Sequence, residues 1–189
     1  MNRDLRTYFM RLDAWLDDDL CRQAIACMED APWTPHTYTA SGSLEKVSVM
    51  GDREPDIAYV GDQSLNRALM KRFIEATRFY CVRLQFPWLA APRNHSVVRF
   101  NRYSPDQKMI EHCDHIDSLF DGNNRGIPIL SCLALLNDGF EGGELVFWKD
   151  EVIPMQAGTM IVFPSNFLFP HRVAPLLSGV RYSCVSWAW

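Results

Sequence analysis

His112 and Asp114 stand two residues apart at the end of the stretch RFNRYSPDQKMIEHCD, which runs from Arg99 to Asp114 and begins as a strand of alternating character. In an extended backbone, side chains two apart point to the same face, so this imidazole and this carboxylate can converge on one metal ion. Two protein ligands rarely hold a catalytic divalent metal. Two His plus one carboxylate is the set that leaves open positions on non-haem Fe(II) for oxygen chemistry. One distal residue is a candidate to complete it: His171, in FPHRV, opens a short β-prone segment near the C-terminal end. Ten residues later comes Arg181, in GVRYS. A guanidinium deep in a β-rich segment needs an anionic partner, because an unpaired buried charge is costly. A dicarboxylate co-substrate fits that need, since Arg binds carboxylates bidentately. Ser183 lies two residues on, on the same strand face as Arg181, where its hydroxyl can bond the same carboxylate.

The elements that must position these groups are legible as two textures. Residues 8–16, YFMRLDAWL, read as a short entering strand, and Asp17, Asp18 or Asp19 then caps a helix whose Leu20, Ala24, Ile25 and Met28 share a face and which stops near Ala31-Pro32. Residues 33–56 carry turn residues and little periodicity, so they form a long irregular or partly stranded connection of the kind that often serves as a lid. Ser64 is the expected N-cap of a second helix, with Leu65, Leu69, Phe73, Ala76 and Tyr80 as its apolar stripe through to about Leu84. Both stripes are packing faces against a sheet. From Ser96 onward the chain turns to short strands: SVVRFNRY, IPILSCLALL, GGELVFW, GTMIVFP, FPHRVAPL and RYSCVSWAW. Strands at this spacing predict a sandwich or barrel with helices packed outside one sheet.

The C-terminal half resembles the Fe(II)- and 2-oxoglutarate-dependent dioxygenases, in particular their prolyl 4-hydroxylase-like branch. The matching pieces are Tyr103-SPDQKMIE-His112-Cys-Asp114, then LLNDGFEGGELVF, then His171-RVAPLLSGV-Arg181-Tyr-Ser183, in order over about residues 97–187. The resemblance implies a double-stranded β-helix core (jelly-roll, cupin-like) in a mainly β chain with packed helices (α+β), the N-terminal helices supporting one sheet. It implies that His112, Asp114 and His171 bind iron, that Arg181 pairs with the distal carboxylate of 2-oxoglutarate, and that Tyr103 and Ser183 hydrogen-bond that co-substrate. Fe(II), 2-oxoglutarate and O2 would be required, with ascorbate a candidate reductant. The overlapping motif HCDHID offers a second His-x-Asp, His115 and Asp117; the strand-turn-strand spacing from Tyr103 favours His112 and Asp114, leaving His115 and Arg125 as candidate substrate-side residues. An Asp at 114, where related halogenases leave room for chloride with a small residue, favours hydroxylation. Asp106 stands where relatives often have Gly in the turn after Tyr103, and Leu135 where some have Tyr. Gly142 and Gly143 read as a tight turn into LVFW, and Trp187 and Trp189 as core or sheet-covering side chains.

Composition bounds the alternatives. At 189 residues the chain is expected to be one domain, 1–95 supplying helical support and substrate-side loops and 96–189 the β core. A formal charge of -4 and pI near 5.7 give no electrostatic footprint for nucleic acid. No segment reads as a signal peptide or membrane span, so the expectation is a cytoplasmic protein without a membrane partner. The six cysteines, without a CxxC pair, read as free and mostly buried thiols. The expected activity is hydroxylation of an unactivated C–H bond, either in a peptidyl residue such as proline or in a free amino acid or metabolite. A non-catalytic β-barrel that senses a metal or carboxylate is the alternative from another class. Oligomeric state and stereochemistry leave no trace in the sequence.

Overall fold

Six consecutive residues, Leu130–Leu135, are buried without exception, and adjacent ones belong to different cores. Cys132 and Ala134 pack into one hydrophobic cluster and Leu133 into another. The same division separates Met160 and Val162 from Ile161 and Phe163, and Cys184 from Val185 and Trp187. Period-two alternation is invisible in such strands because apolar matter covers both faces of the sheet. The chain is described by a computed structural model over residues 4–39, 45–59, 61–114 and 127–189.

The large sheet has seven strands, ordered Met10–Leu12, Met160–Pro164, Leu130–Leu135, Arg181–Ala188, Arg99–Tyr103, Asp56–Tyr59 and Thr34–Pro35, with antiparallel neighbours throughout. A four-stranded antiparallel sheet, ordered Glu151–Ile153, Leu145–Phe147, His171–Val173 and Met109–His112, contributes to the second cluster together with the large sheet's inner face. On the outer face lie helices α1 (Asp18–Cys27) and α2 (Gln63–Leu84), joined to the large sheet through the first cluster. This two-sheet arrangement with helices backing one sheet is the expected mainly β, jelly-roll architecture. Each large apolar side chain sealed in either cluster contributes about 1.5–3 kcal/mol.

Local chemistry sets the boundaries, and some differ from expectation. Asp17 caps α1, its carboxylate accepting from the Leu20 N–H at 2.8 Å, but the helix ends at Cys27 rather than near Ala31. Beyond it the Trp33 indole donates to the Met28 carbonyl at 3.0 Å, supplying an acceptor with a partner that further helical turns would have provided. Helix α2 is capped by Asp62 rather than Ser64. One oxygen of Asp62 accepts from the Ser64 and Leu65 N–H groups at 2.7 and 2.8 Å, and a carboxylate is favoured over a hydroxyl at the positive helix end. The strand expected over 8–16 shrinks to Met10–Leu12 after a 3-10 turn at Leu5–Tyr8. The connection between the helices is partly stranded as expected, and two of its pieces, Thr34–Pro35 and Asp56–Tyr59, extend the large sheet. Among the described residues all six cysteines are free, with Cys21, Cys81, Cys132 and Cys184 buried.

Candidate active site

The turn that carries the chain from Tyr103 towards His112 is made by Ser104-Pro105-Asp106-Gln107. The Gln107 N–H donates to the Ser104 carbonyl at 3.0 Å, and Asp106 has φ +71°, so Pro precedes a left-handed residue as a type II turn requires. The Asp at the usual Gly position therefore keeps the turn, at a modest backbone cost. After the turn the chain leaves the large sheet and enters the small one, where His112 pairs with His171. Asp114 lies beyond the end of the Met109–His112 strand rather than within it. Its carboxylate nonetheless returns to the same side, with Oδ1 3.6 Å from His112 Nε2 and Oδ2 4.0 Å from His171 Nε2.

The two imidazoles are held in one tautomer. His112 Nδ1 lies 2.8 Å from the Ile110 carbonyl and His171 Nδ1 3.1 Å from the Phe169 carbonyl. A carbonyl can only accept, so each Nδ1 carries the proton and each Nε2 presents a lone pair. Phe147 stacks on the His171 ring at 5.1 Å and Phe163 meets it edge-on at 5.1 Å, which fixes the ring plane and excludes water. Burial, then the neighbouring His171, push His112 down to about 4 against the opposing pull of Asp114 and the Ile110 carbonyl, so it is neutral at ordinary pH. Burial by itself would raise the Asp114 carboxyl. His171, His112, the Ser131 hydroxyl and the Trp187 side chain outweigh it and hold Asp114 below the usual carboxylate range. Ser131 Oγ donates to Asp114 Oδ2 at 2.6 Å and lies 2.7 Å from Ser165 Oγ, a hydroxyl relay that orients the carboxylate. One ligand atom from each of His112, Asp114 and His171 falls within 4.8 Å of the others. Two neutral imidazole nitrogens and an ionised carboxylate are the donors Fe(II) takes, so the residues fit that ion.

Arg181 begins the last strand, opposite Tyr103, and Ser183 stands opposite Asn101. The guanidinium is 1% exposed, lies 5.1 Å over the Tyr103 ring and donates to Ser183 Oγ at 3.1 Å. Its Nε is buried with no partner, and among the described residues no carboxylate lies within ion-pair distance of it. Among the described residues the Tyr103 hydroxyl has only the Met109 sulfur, a weak acceptor, at 4.0 Å. A sealed cation without an anion is the observation that fits a dicarboxylate ligand. Gly143 makes room for it: a Cβ there would stand 3.0 Å from Arg181 Cδ and 2.9 Å from Leu176 Cδ1, at φ +66°. The expected structural role of this glycine pair thus extends to the Arg181 side chain. A cavity of about 30 Å³ opening into a wider mouth has Arg99, Tyr103, His112, Asp114, His171 and Trp187 in its wall, and Arg181 packs over the Tyr103 ring at its edge.

The structure adds residues that the sequence reading missed. Ser131 and Ser165 had no signal beyond their place in apolar runs. Trp187 is buried as expected, but in the cavity wall rather than a remote core. Arg99, Asn101 and Tyr103 alternate along one strand and face the cavity together, a pattern present in RFNRY from the start. His115, Asp117 and Arg125 lie outside the described residues.

Two expected results follow from these contacts. Ser131→Ala should weaken Fe(II) binding about 10- to 100-fold without unfolding the protein, because it removes the donor that orients Asp114; an iron titration under anaerobic conditions checks this. Burial depresses His36 to about 3 and His95 and His112 to about 4, from an ordinary 6.5. The unfolded chain takes up protons through pH 6.5 while the folded one does not until near pH 4, so stability rises with pH across that window. The melting temperature of the metal-free protein should be flat above pH 7 and fall by about 5 °C or more between pH 6.5 and 4.5.

The fold and the site together define a class: a double-stranded β-helix with a two-His, one-carboxylate cluster in a cavity and a buried arginine packed over the cavity-lining Tyr103. Residues 98–189 match the 2OG-Fe(II) oxygenase superfamily. A PKHD-type hydroxylase of Rippkaea orientalis is 35% identical over 101 residues, 50% of this chain and 43% of that protein. The chain thus spans under half the length of that curated relative. A Trichoplax adhaerens prolyl hydroxylase, solved with a peptide fragment of the hypoxia inducible factor oxygen degradation domain, superimposes with TM-score 0.71 at 18% identity, covering 97% of this chain and 84% of that one. The viral collagen prolyl hydroxylase of Paramecium bursaria Chlorella virus-1, solved with 2OG, gives TM-score 0.67 at 19% identity over 95% and 94% of the two chains. Over residues 98–189 the chain is thus similar to the 2OG-Fe(II) oxygenase superfamily, and its fold is that of the solved prolyl hydroxylases.

Proposed function

We propose that the protein is an Fe(II)- and 2-oxoglutarate-dependent hydroxylase in which His112, Asp114 and His171 hold the iron and Arg181, Ser183 and Tyr103 hold the co-substrate. The observation that carries this reading is the pairing of a three-donor cluster, within 4.8 Å, with a buried arginine that has no carboxylate among the described residues. Bound there, Fe(II) with 2-oxoglutarate and O2 supplies the oxidising power that places one oxygen atom in a C–H bond and releases succinate and CO2. The chain's own groups do the positioning. The Ile110 and Phe169 carbonyls keep both Nε2 lone pairs forward, and Ser131 keeps the Asp114 carboxylate turned towards them. Arg181 fixes the far carboxylate of the keto acid, with Ser183 steadying the guanidinium and the Tyr103 ring beneath it. Phe147 and Phe163 keep water from the His171 side.

The substrate is proposed to be a peptidyl residue such as proline, which the peptide-bound and collagen-directed neighbours support by analogy of fold. Arg99, a second cation in the cavity wall, favours a second reading, the same chemistry on a free amino acid or small acid. Free buried thiols agree with a reducing compartment, and the cytoplasm is the proposed location. The test is direct. Purified protein given Fe(II) and 2-oxoglutarate without O2 should develop a weak visible charge-transfer band, and admitting O2 with ascorbate present should release succinate. A protein that shows neither band nor succinate is not an oxygenase.

A further inference from the structure

The inner face of the Arg99–Tyr103 strand carries two cationic ends. Antiparallel register puts Arg181 opposite Tyr103 and Val185 opposite Arg99, so the two arginines are separated along the sheet by about four residues, roughly 13 Å. Arg181 is used by the co-substrate in the reading above. Among the described residues Arg99 has no ion pair. Its guanidinium lies 4.8 Å over the Trp187 ring, and its Nε is buried with no partner. Two residues on, Asn101 is 2% exposed and its side-chain oxygen is also sealed without a donor. Arg99 as a whole is half-buried, but its Nε and the Asn101 oxygen, a donor and an acceptor on one strand face, are withheld from water beside a cavity, and buried polar groups call for a polar partner.

The position is on the iron side. Asp114 acts electrostatically on Arg99, as do Tyr38, Tyr59 and Tyr103. Trp187 lies under Arg99 and helps hold the Asp114 carboxyl below the usual range. The connection between the helices adds His36, 8% exposed, with its Nδ1 buried and unpartnered and its ring 4.6 Å edge-on from Tyr38, itself 6.5 Å from His112. Resting on the oxygenase reading above, we propose that Arg99 is the specificity-determining residue of this site and that the primary substrate presents it with a carboxylate. A bidentate pair over the Trp187 face would fix the substrate's acid end near the cluster. The carboxylate can belong to a free acid or to an acidic peptide side chain, and the experiment separates the two.

Protein loaded with Fe(II) and 2-oxoglutarate is given O2 and one of four pools: the N-acetylated common amino acids as free acids, the same as amides, end-blocked random hexapeptides containing one Glu, and the same with Gln. Succinate release above the no-pool baseline is measured, with mass spectrometry for a gain of one oxygen. At least one acid pool should stimulate release tenfold or more beyond its amide counterpart, and which one does identifies the source. In Arg99→Gln the acid preference should fall to within twofold, and Arg99→Lys should keep part of it. As a readout apart from turnover, the same acid pool should raise the melting temperature of metal-free wild-type protein and not that of folded Arg99→Gln. Equal stimulation by acids and amides, no stimulation by any pool over a measurable baseline, or an acid preference that survives Arg99→Gln overturns the proposal. Loss of the baseline itself overturns the oxygenase reading, and the melting data then judge the carboxylate site independently.

Discussion

Asp114→Ala is expected to lower both bound iron and succinate formation by at least about 100-fold, since changes that only disturb the orientation of a metal ligand already cost 10- to 100-fold. The carboxylate is the one anionic donor of the cluster, and its ionised form is maintained against burial by two imidazoles and the Ser131 hydroxyl. Removing it leaves two neutral nitrogens and no charge to offset that of the ion. Asp114→Asn separates shape from charge: it preserves the volume and an acceptor for Ser131 while removing the negative charge, and should recover little iron. Metal content after anaerobic loading and desalting, read beside succinate, checks both variants, and circular dichroism confirms that they fold. If Asp114→Ala keeps its iron while His115→Ala loses it, the metal pair is the second His-x-Asp of HCDHID and the register assigned here is wrong.

Arg181→Met should raise the KM for 2-oxoglutarate about 100-fold while raising the melting temperature of the ligand-free protein. Losing one partner of a buried, hydrogen-bonded charge pair costs about 2–5 kcal/mol in binding. In the ligand-free state Arg181 is 1% exposed, has an unpartnered Nε and, among the described residues, has Ser183 Oγ as its side-chain hydrogen-bond partner and the Tyr103 ring beneath it. Burial lowers its pKa from the ordinary value, the sign of a charge whose desolvation is incompletely offset, although arginine remains protonated. Replacing an unpaired buried cation by an apolar side chain of similar volume removes that penalty. A residue kept for stability moves the melting temperature down when replaced. A residue kept for a ligand moves it up and loses the ligand. Iron affinity measured without 2-oxoglutarate should change far less than the KM, and equal loss of both would make Arg181 structural.

The sequence was informative where chemistry and local geometry coincide. His-x-Asp, the distal His and an Arg ten residues beyond it specify residue types that few other functions require together, and the structure brings His112, Asp114 and His171 to one point. The Asp17 cap and the apolar stripe of α2 were legible because capping and helical packing are decided within a few residues. Boundaries were less legible. Ser64 and Asp62 are both good caps by type, and the choice depended on which side chain could reach two N–H groups at once.

What sequence alone determined, then, is the donor set, the buried cation and the mainly β class, because each is written in residue types and short spacings. Only tertiary structure decided that Asp114 returns to the cluster from beyond its strand, held by Ser131 from a strand of the other sheet. It also decided that Gly143 clears space for Arg181 and that Trp187 belongs to the site wall. Arg99 is the clearest case. Read in RFNRY it is one more strand residue, and only antiparallel pairing shows it four positions along the same face from Arg181's partner, in the cavity wall and with no ion pair among the described residues. Whether a charge is paired is a property of what folds against it, and the groups around Arg99 come from strands far apart in the chain.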